Sequence, residues 1–397
     1  MLGANVLKRT LWVLMCLPLL LTGPAIADWP MTAANPQRTS WVAKEVPVRE
    51  RLKWVRPVEA FIQFNANLIA ANGLIYVPTS RGMIALDAVD GSLAWRYDTK
   101  MPIGNSPTVD GSTLYVPGMD RMLHILNAID GNSLWTFDGA GAGYSSNPLV
   151  IDGVIYTGNR DGYFYAIDTG THDILWRFPD FGQPPLEPIL QSPAYNEGVI
   201  YFAANDCYGY ALDAADGSLV WRTAERMNSL QFQSYWPVIY QDKVIFVGCD
   251  MYRRNFSPGT ESEPGEGGHP QEMIKIAMLY DLDPNAIRFG DITPGVDPWT
   301  HGFDVYDCSK ISEYHEINDD GHQYLHKPWR RYFIIIEQSD GTEYTMDVDG
   351  DGNLEYAPIG YNWTKNGNIC PPVVMPDGLL YLKQFIGKMT PTLISAR

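Results

Sequence analysis

Short apolar runs closed by polar turns recur along most of the chain. Residues 107–115, 148–156, 193–201, 237–246 and 372–381 each begin with proline. Each continues through an apolar run and a glycine-containing turn, and ends on Tyr115, Tyr156, Tyr201, Phe246 or Tyr381. Runs of this length, bounded by turn residues, predict β-strands. Asp-Gly and Asn-Gly pairs tolerate positive φ and close hairpins tightly. No stretch sustains apolar residues at a 3.6-residue period, which excludes solenoids of paired helices.

A second pattern is superimposed on the first. Residues 85–95 read Ala-Leu-Asp-Ala-Val-Asp-Gly-Ser-Leu-Ala-Trp, and residues 211–221 read Ala-Leu-Asp-Ala-Ala-Asp-Gly-Ser-Leu-Val-Trp. Looser copies carry Asn127, Asp130-Gly131 and Trp135, then Asp168, Thr169-Gly170 and Trp176. The tryptophans Trp95, Trp135, Trp176 and Trp221 fall 40, 41 and 45 residues apart. A period near 40 with several strands per unit predicts propeller blades, because such small sheets bury their faces only against neighbouring sheets. The tryptophans are expected to pack between blades, with Asp87, Asn127, Asp168 and Asp213 tying off the turn backbone.

The Ala-x-Asp…Gly-x-x-x-Trp signature resembles the tryptophan-docking repeat of the PQQ-like, or quinoprotein-alcohol-dehydrogenase-like, β-propeller family. Asp28-Trp29-Pro30-Met31 with Asn35-Pro36-Gln37-Arg38-Thr39 also looks like the opening segment of exported members. The resemblance covers residues 28–250. It implies an all-β propeller of about seven to eight four-stranded blades over residues 51–397, preceded by an extended segment, 28–50. Later blades are degenerate: one copy returns at residues 335–341, with Thr345 where tryptophan should stand, and residues 252–272 read as a loop insertion. The 135 residues from Phe246 to Tyr381 leave room for at least one full blade and some enlarged ones. Trp54, 41 residues before Trp95, is expected to sit on the outer strand that completes the last blade. No further Gly-x-x-x-Trp unit follows Tyr381, so the final blade is expected to be incomplete.

Composition adds an address. Lys8 and Arg9, an apolar run from 11 to 21 and Ala25-Ile26-Ala27 give the three parts of a secretory signal over residues 1–27. Cys16 lies mid-run after Leu14 and Met15, unlike a lipidation site. No later segment reaches membrane length, so the product is expected to be exported, periplasmic or extracellular, soluble and monomeric. The net charge of −17 argues against nucleic acid as a partner. Cys207, Cys249, Cys308 and Cys370 include no Cys-x-x-Cys pair, which excludes zinc ribbons and thioredoxin-like sites. Cys207 and Cys249 are expected on adjacent blades, in register for a disulfide.

Candidate chemistry is sparse. The family resemblance implies PQQ-dependent alcohol or sugar oxidation, with quinone and calcium in the propeller centre near an aspartate base. The chain lacks the adjacent-cysteine pair of many such enzymes, and no calcium cluster can be assigned from spacing. A non-catalytic module that recognises a protein, small molecule or glycan is therefore the expected function, with PQQ enzymology as the alternative. Its site is expected at the channel mouth, on Asn105, Ser106, Ser146, Asn147, Gln191, Ser192, Tyr235 and Trp236, which precede the register-equivalent prolines. His315, His322 and His326 read as loop histidines, because Asp320-Gly321 is a turn rather than part of a helix. Residues 347–355, Asp-Val-Asp-Gly-Asp-Gly-Asn-Leu-Glu, resemble the calcium hairpins of integrin-type propellers. Pro358 stands where an EF-hand needs glutamate. Asp347, Asp349, Asp351 and Glu355, with the Asn353 carbonyl, are the expected calcium ligands.

Overall fold

The computed structural model describes residues 28–42, 52–58, 60–62, 66–206, 208–224, 235–247 and 333–346, and the short strands named below beyond them. The signal segment, the 252–272 insertion, the three histidines, the four cysteines and calcium positions 347–353 lie outside the described residues.

The repeats form antiparallel four-stranded sheets, the blades of a β-propeller. Blade one holds β1 (Ile69–Ala71), β2 (Leu74–Thr79), β3 (Gly82–Asp87) and β4 (Leu93–Asp98). Blade two holds β5 (Thr108–Asp110), β6 (Thr113–Pro117), β7 (Leu123–Asn127) and β8 (Ser133–Phe137). Blade three holds β9 (Leu149–Ile151), β10 (Val154–Gly158), β11 (Phe164–Asp168) and β12 (Ile174–Phe178), and blade four β13 (Ala194–Asn196), β14 (Val199–Ala203), β15 (Gly209–Asp213) and β16 (Leu219–Arg222). Strands are adjacent in chain order because two-residue hairpins link the first two strands of a blade. Asn72-Gly73, Asp152-Gly153 and Glu197-Gly198 all take positive φ at both positions, as a type I′ turn requires. All four sheets shift register at the same place between third and fourth strands, at Ala85/Leu86, Ile125/Leu126, Ala166/Ile167 and Ala211/Leu212. The repeat is thus kept down to its bulge.

Blade five is joined across a long span of sequence. β17 (Val238–Tyr240) pairs with β18 (Lys243–Val247), and β18 pairs with β21 (Phe333–Glu337) rather than with a strand close in sequence. The copy at 335–341 therefore starts no new blade; it is the third strand and turn of the blade opened by Pro237. Between them lie β19 (Glu316–Ile317) and β20 (Gln323–Tyr324), paired with each other. The Ile336–Glu343 bridge is a stub of a fourth strand. Beyond it, β22 (Thr345–Met346) pairs with β23 (Glu355–Tyr356), and β24 (Val373–Val374), β25 (Leu380–Ile386) and β26 (Thr390–Ala396) form one sheet.

The core lies between blades. Ile69, Tyr76, Ala85 and Trp95 of blade one pack with Leu114, Val116, Leu126 and Ala128 of blade two, and comparable clusters join blades two with three and three with four. The innermost strands stand around a hub that the N-terminal segment enters. Trp29 bridges Ala70 of blade one, and the Val109 amide of blade two donates to the Pro30 carbonyl. The amides of Tyr195 in blade four and Ile239 in blade five donate to Pro36 and Gln37. Residues 28–42 thus run through the hub and bond to the innermost strands of blades one, two, four and five.

Candidate functional site

Each tryptophan of the repeat reaches the turn of the following blade. The Trp95 indole N–H donates to the Ala128 carbonyl (2.9 Å), Trp176 to Ala214 (3.1 Å), Trp221 to Gln338 (2.8 Å) and Trp54 to Ala88 (3.3 Å). The ring lies flat on a left-handed glycine. A Cβ built at Gly131 would fall 2.6 Å from the Trp95 ring, and one at Gly217 2.5 Å from Trp176. Trp135 departs from the pattern: its turn carries His172 in the left-handed region at φ 68, and the two rings stack at 4.0 Å. Trp221 lands on Gly341, the turn of the displaced third strand, which confirms that blade five is assembled from distant segments.

The tie-off residues do what their type allows. Asp87 Oδ1 accepts from the Val89 amide, Asn127 Oδ1 from Ile129, Asp168 Oδ1 from Gly170 and Thr171, and Asp213 Oδ1 from Ala215. Backbone donors from Thr171 and then Gly170 hold the Asp168 carboxyl below the ordinary carboxylate range. Asp90, through Ser92, and Asp216, through Ser218, are lowered in the same way. Depressed folded pKa values lend stability that is present above the ordinary carboxylate pKa and lost as pH falls through the folded value. Melting temperature should therefore drop as pH is lowered below about 4. Blade two already uses Asn127, an uncharged side chain, for the same bond. Asp168→Asn should keep its stability at neutral pH and show a shallower acid drop; an unchanged acid profile would refute the assignment.

The channel-mouth positions come together, but as a closed network. Asn105, Ser106, Ser146, Asn147, Gln191 and Ser192 are all buried, and Trp236 is buried against Ala33. The Asn105 amide donates to the Ser145 carbonyl (2.7 Å), while Ser106 Oγ accepts from the Asn67 amide (2.6 Å). Ser192 Oγ donates to Asn147 Oδ1 (2.6 Å) and accepts from the Asn147 backbone N–H (2.9 Å), linking blades three and four. Asn147 Nδ2 donates to the Thr32 hydroxyl and to the Ser106 carbonyl (3.2 Å). Gln191 Nε2 reaches the Val247 carbonyl (3.3 Å), and the Ser192 amide reaches Tyr235 (2.8 Å). Any ligand at this ring would have to displace Thr32 and its neighbours.

Sequence reasoning missed the buried Arg38, whose Nε donates to the Pro193 carbonyl (2.9 Å), and a second repeated motif. His124 is buried with Nε2 3.2 Å from Asp120 and Nδ1 3.1 Å from the Tyr97 hydroxyl, which looks like an acid–base pair. The register-equivalent positions hold Asp161 with Tyr165 (2.8 Å) and Asp206 with Tyr210. Three blades thus place Asp at i and a ring with a polar atom at i+4, so His124 belongs to the fold rather than to catalysis. The Asp-x-x-x-Tyr/His spacing was visible in the sequence. Among the described residues no group of three His, Cys, Asp or Glu could hold a metal, and Glu355 is seen only as part of β23.

Two matches to the family model described as outer membrane protein assembly factor BamB cover residues 33–151 and 130–252, together more than half of the chain. An outer membrane protein assembly factor BamB from Xanthomonas campestris pv. campestris is 26% identical over 127 residues, 29% of this chain and 30% of that protein. Quinohemoprotein alcohol dehydrogenase ADH IIB from Pseudomonas putida is 27% identical over 149 residues, 32% of this chain and 22% of that protein. The chain thus spans less than a third of either relative's length. The crystal structure of BamB from Moraxella catarrhalis superposes with a TM-score of 0.46 at 16% identity, covering 84% of this chain and 83% of that one.

Proposed function

Since the chain belongs to the PQQ-like repeat family represented by the BamB model, we propose that it is an exported, periplasmic propeller that binds and scaffolds another protein without catalysis. The observation that carries this reading is on the rim. Leu93, Leu134, Leu175, Leu219 and Val220 lie on the outermost strands β4, β8, β12 and β16, each about half exposed. Polar residues would suit a solvated edge strand, whereas apolar side chains beside unpaired backbone groups suit a protein partner. Relatives named as assembly factors for outer membrane proteins support that class of partner.

A quinoprotein dehydrogenase is the second reading, because other relatives carry that name. The described hub residues do not fit PQQ with calcium. Asn105, Ser106, Ser146, Asn147, Gln191, Ser192, Tyr235 and Trp236 include no carboxylate, and Asn147 and Ser192 spend their polar atoms on each other and on Thr32. Photo-crosslinking residues placed at Leu134 and Leu175 should capture one discrete protein in envelope fractions, while the same residue on the exposed Asn72 hairpin should not. Equal labelling at all three, or dye reduction on alcohols with PQQ and calcium, would overturn the proposal. We extend it to calcium at Asp347, Asp349, Asp351, Asn353 and Glu355, as a brace rather than a catalyst, since all ligands come from one loop. The expected result is a higher melting temperature in millimolar calcium than in chelator, lost in Asp349→Ala.

A further inference from the structure

We propose that the propeller hub is a binding site for a short, turn-forming peptide that inserts an arginine, and that residues 28–42 are its resident ligand in cis. The segment sits like a ligand in a receptor. Its backbone meets the blades at single pairs, Trp29 with Ala70, Pro30 with Val109, Pro36 with Tyr195 and Gln37 with Ile239, while Met31, Thr32, Ala33 and Arg38 seat their side chains among blade residues. It adds no full strand to any blade. Its conformation is held by its surroundings. Ala33, Ala34, Arg38 and Ser40 all have φ between 57° and 70°, a region that residues with a Cβ avoid. Its own turns, closed by Asn35 through Thr39 and Trp41, give it a compact shape that a free peptide could carry into the hub.

Arg38 is the specificity element. It is fully buried, and its Nε donates to the Pro193 carbonyl (2.9 Å) while Nη1 donates to Thr32 (2.7 Å). Among the described residues it makes no ion pair and its Nη2 has no partner. Burial alone pulls the guanidinium down to about 9. A chain free to choose any side chain for packing would avoid a buried unpaired cation. An arginine that reads the Pro193 carbonyl at the end of a receptor pocket gives the site its selectivity instead. The Gln191 Oε1 and Trp236 Nε1 atoms, each next in sequence to the Ser192–Tyr235 backbone bond, are likewise buried without partners among the described residues. This seat is therefore polar and incompletely matched, as suits an occupant that can be exchanged. The proposal is independent of the rim surface.

The test keeps the full chain. A protease recognition sequence inserted between Ala43 and Glu50 allows the connection to be cut after folding. The nicked protein is then incubated with a labelled synthetic peptide of residues 28–42 and followed by size exclusion and fluorescence anisotropy. The expected result is that the cut segment stays bound, exchanges with the labelled peptide, and exchanges at least about tenfold more weakly with a peptide carrying Arg38→Ala, which loses the charge-assisted bond to the Pro193 carbonyl and the internal one that shapes the peptide through Thr32. Asn147→Ala in the body should weaken retention while the body stays folded by circular dichroism. Equal binding of both peptides would overturn the proposal. So would release of the segment with no rebinding to a folded body, or unfolding on cutting, which would make the segment a part of the fold rather than a ligand.

Discussion

Trp176→Ala is expected to cost about 3–5 kcal/mol in denaturant unfolding, whereas Trp135→Ala costs about 1–2 kcal/mol. Trp176 is 7% exposed, its N–H is bonded to Ala214, and its ring lies on Gly217 with Tyr156 and Phe164 at 5.9 and 6.1 Å. Truncation removes that area, takes the indole donor away from the Ala214 carbonyl and leaves a cavity between blades three and four. The Tyr156 hydroxyl keeps one bond to the same carbonyl, 3.0 Å away, so the loss is mainly packing. Trp135 is only half-buried against His172 and, among the described residues, makes no equivalent bond in the next blade. Equal losses at the two positions would show that the docking contact is not what sets blade stability.

Asn147→Leu is expected to cost about 2–4 kcal/mol, although leucine is apolar and of similar size. The substitution leaves the Ser192 hydroxyl, the Thr32 hydroxyl and the Ser106 carbonyl short of a partner in a hub where all three residues are buried. A buried polar group that loses its partner costs the full desolvation of that group, which apolar volume does not offset. Ser192→Ala alone should cost less, and the double variant should cost less than the sum, because both changes break the same bond. Additive losses would separate the two residues and dissolve the network.

Local order in the sequence carried the blades. Asp87, Asn127, Asp168 and Asp213 recur with Trp95, Trp135, Trp176 and Trp221 at fixed offsets, because each blade repeats the same hairpins, bulge and docking turn. Strand identity follows from contacts between residues close in the chain, so alternation and turn residues suffice to read it. Trp54 keeps the 41-residue spacing to Trp95 and docks on the turn of blade one, but residues 52–58, expected to be the outer strand of the last blade, are not in a strand. The ring positions were also legible as a ring, since register fixes which residues enter each innermost strand.

What fills that ring was not legible. Thr32 meets Asn147 across 115 residues and Arg38 meets Pro193 across 155, and no periodicity relates such partners. Nothing in Asn-Pro-Gln-Arg-Thr marks Arg38 as buried; charged residues in a polar, proline-containing segment ordinarily face water. Blade five shows the same limit. β18 and β21 pair although residues 248–332 separate them, and Trp221 finds Gly341 only after that pairing is made. The sequence by itself determined the units, their register and their docking residues, because those depend on neighbours within one period. The tertiary structure alone decided how the circle is occupied and joined, because those contacts depend on which distant segments the closing blades bring within hydrogen-bond reach.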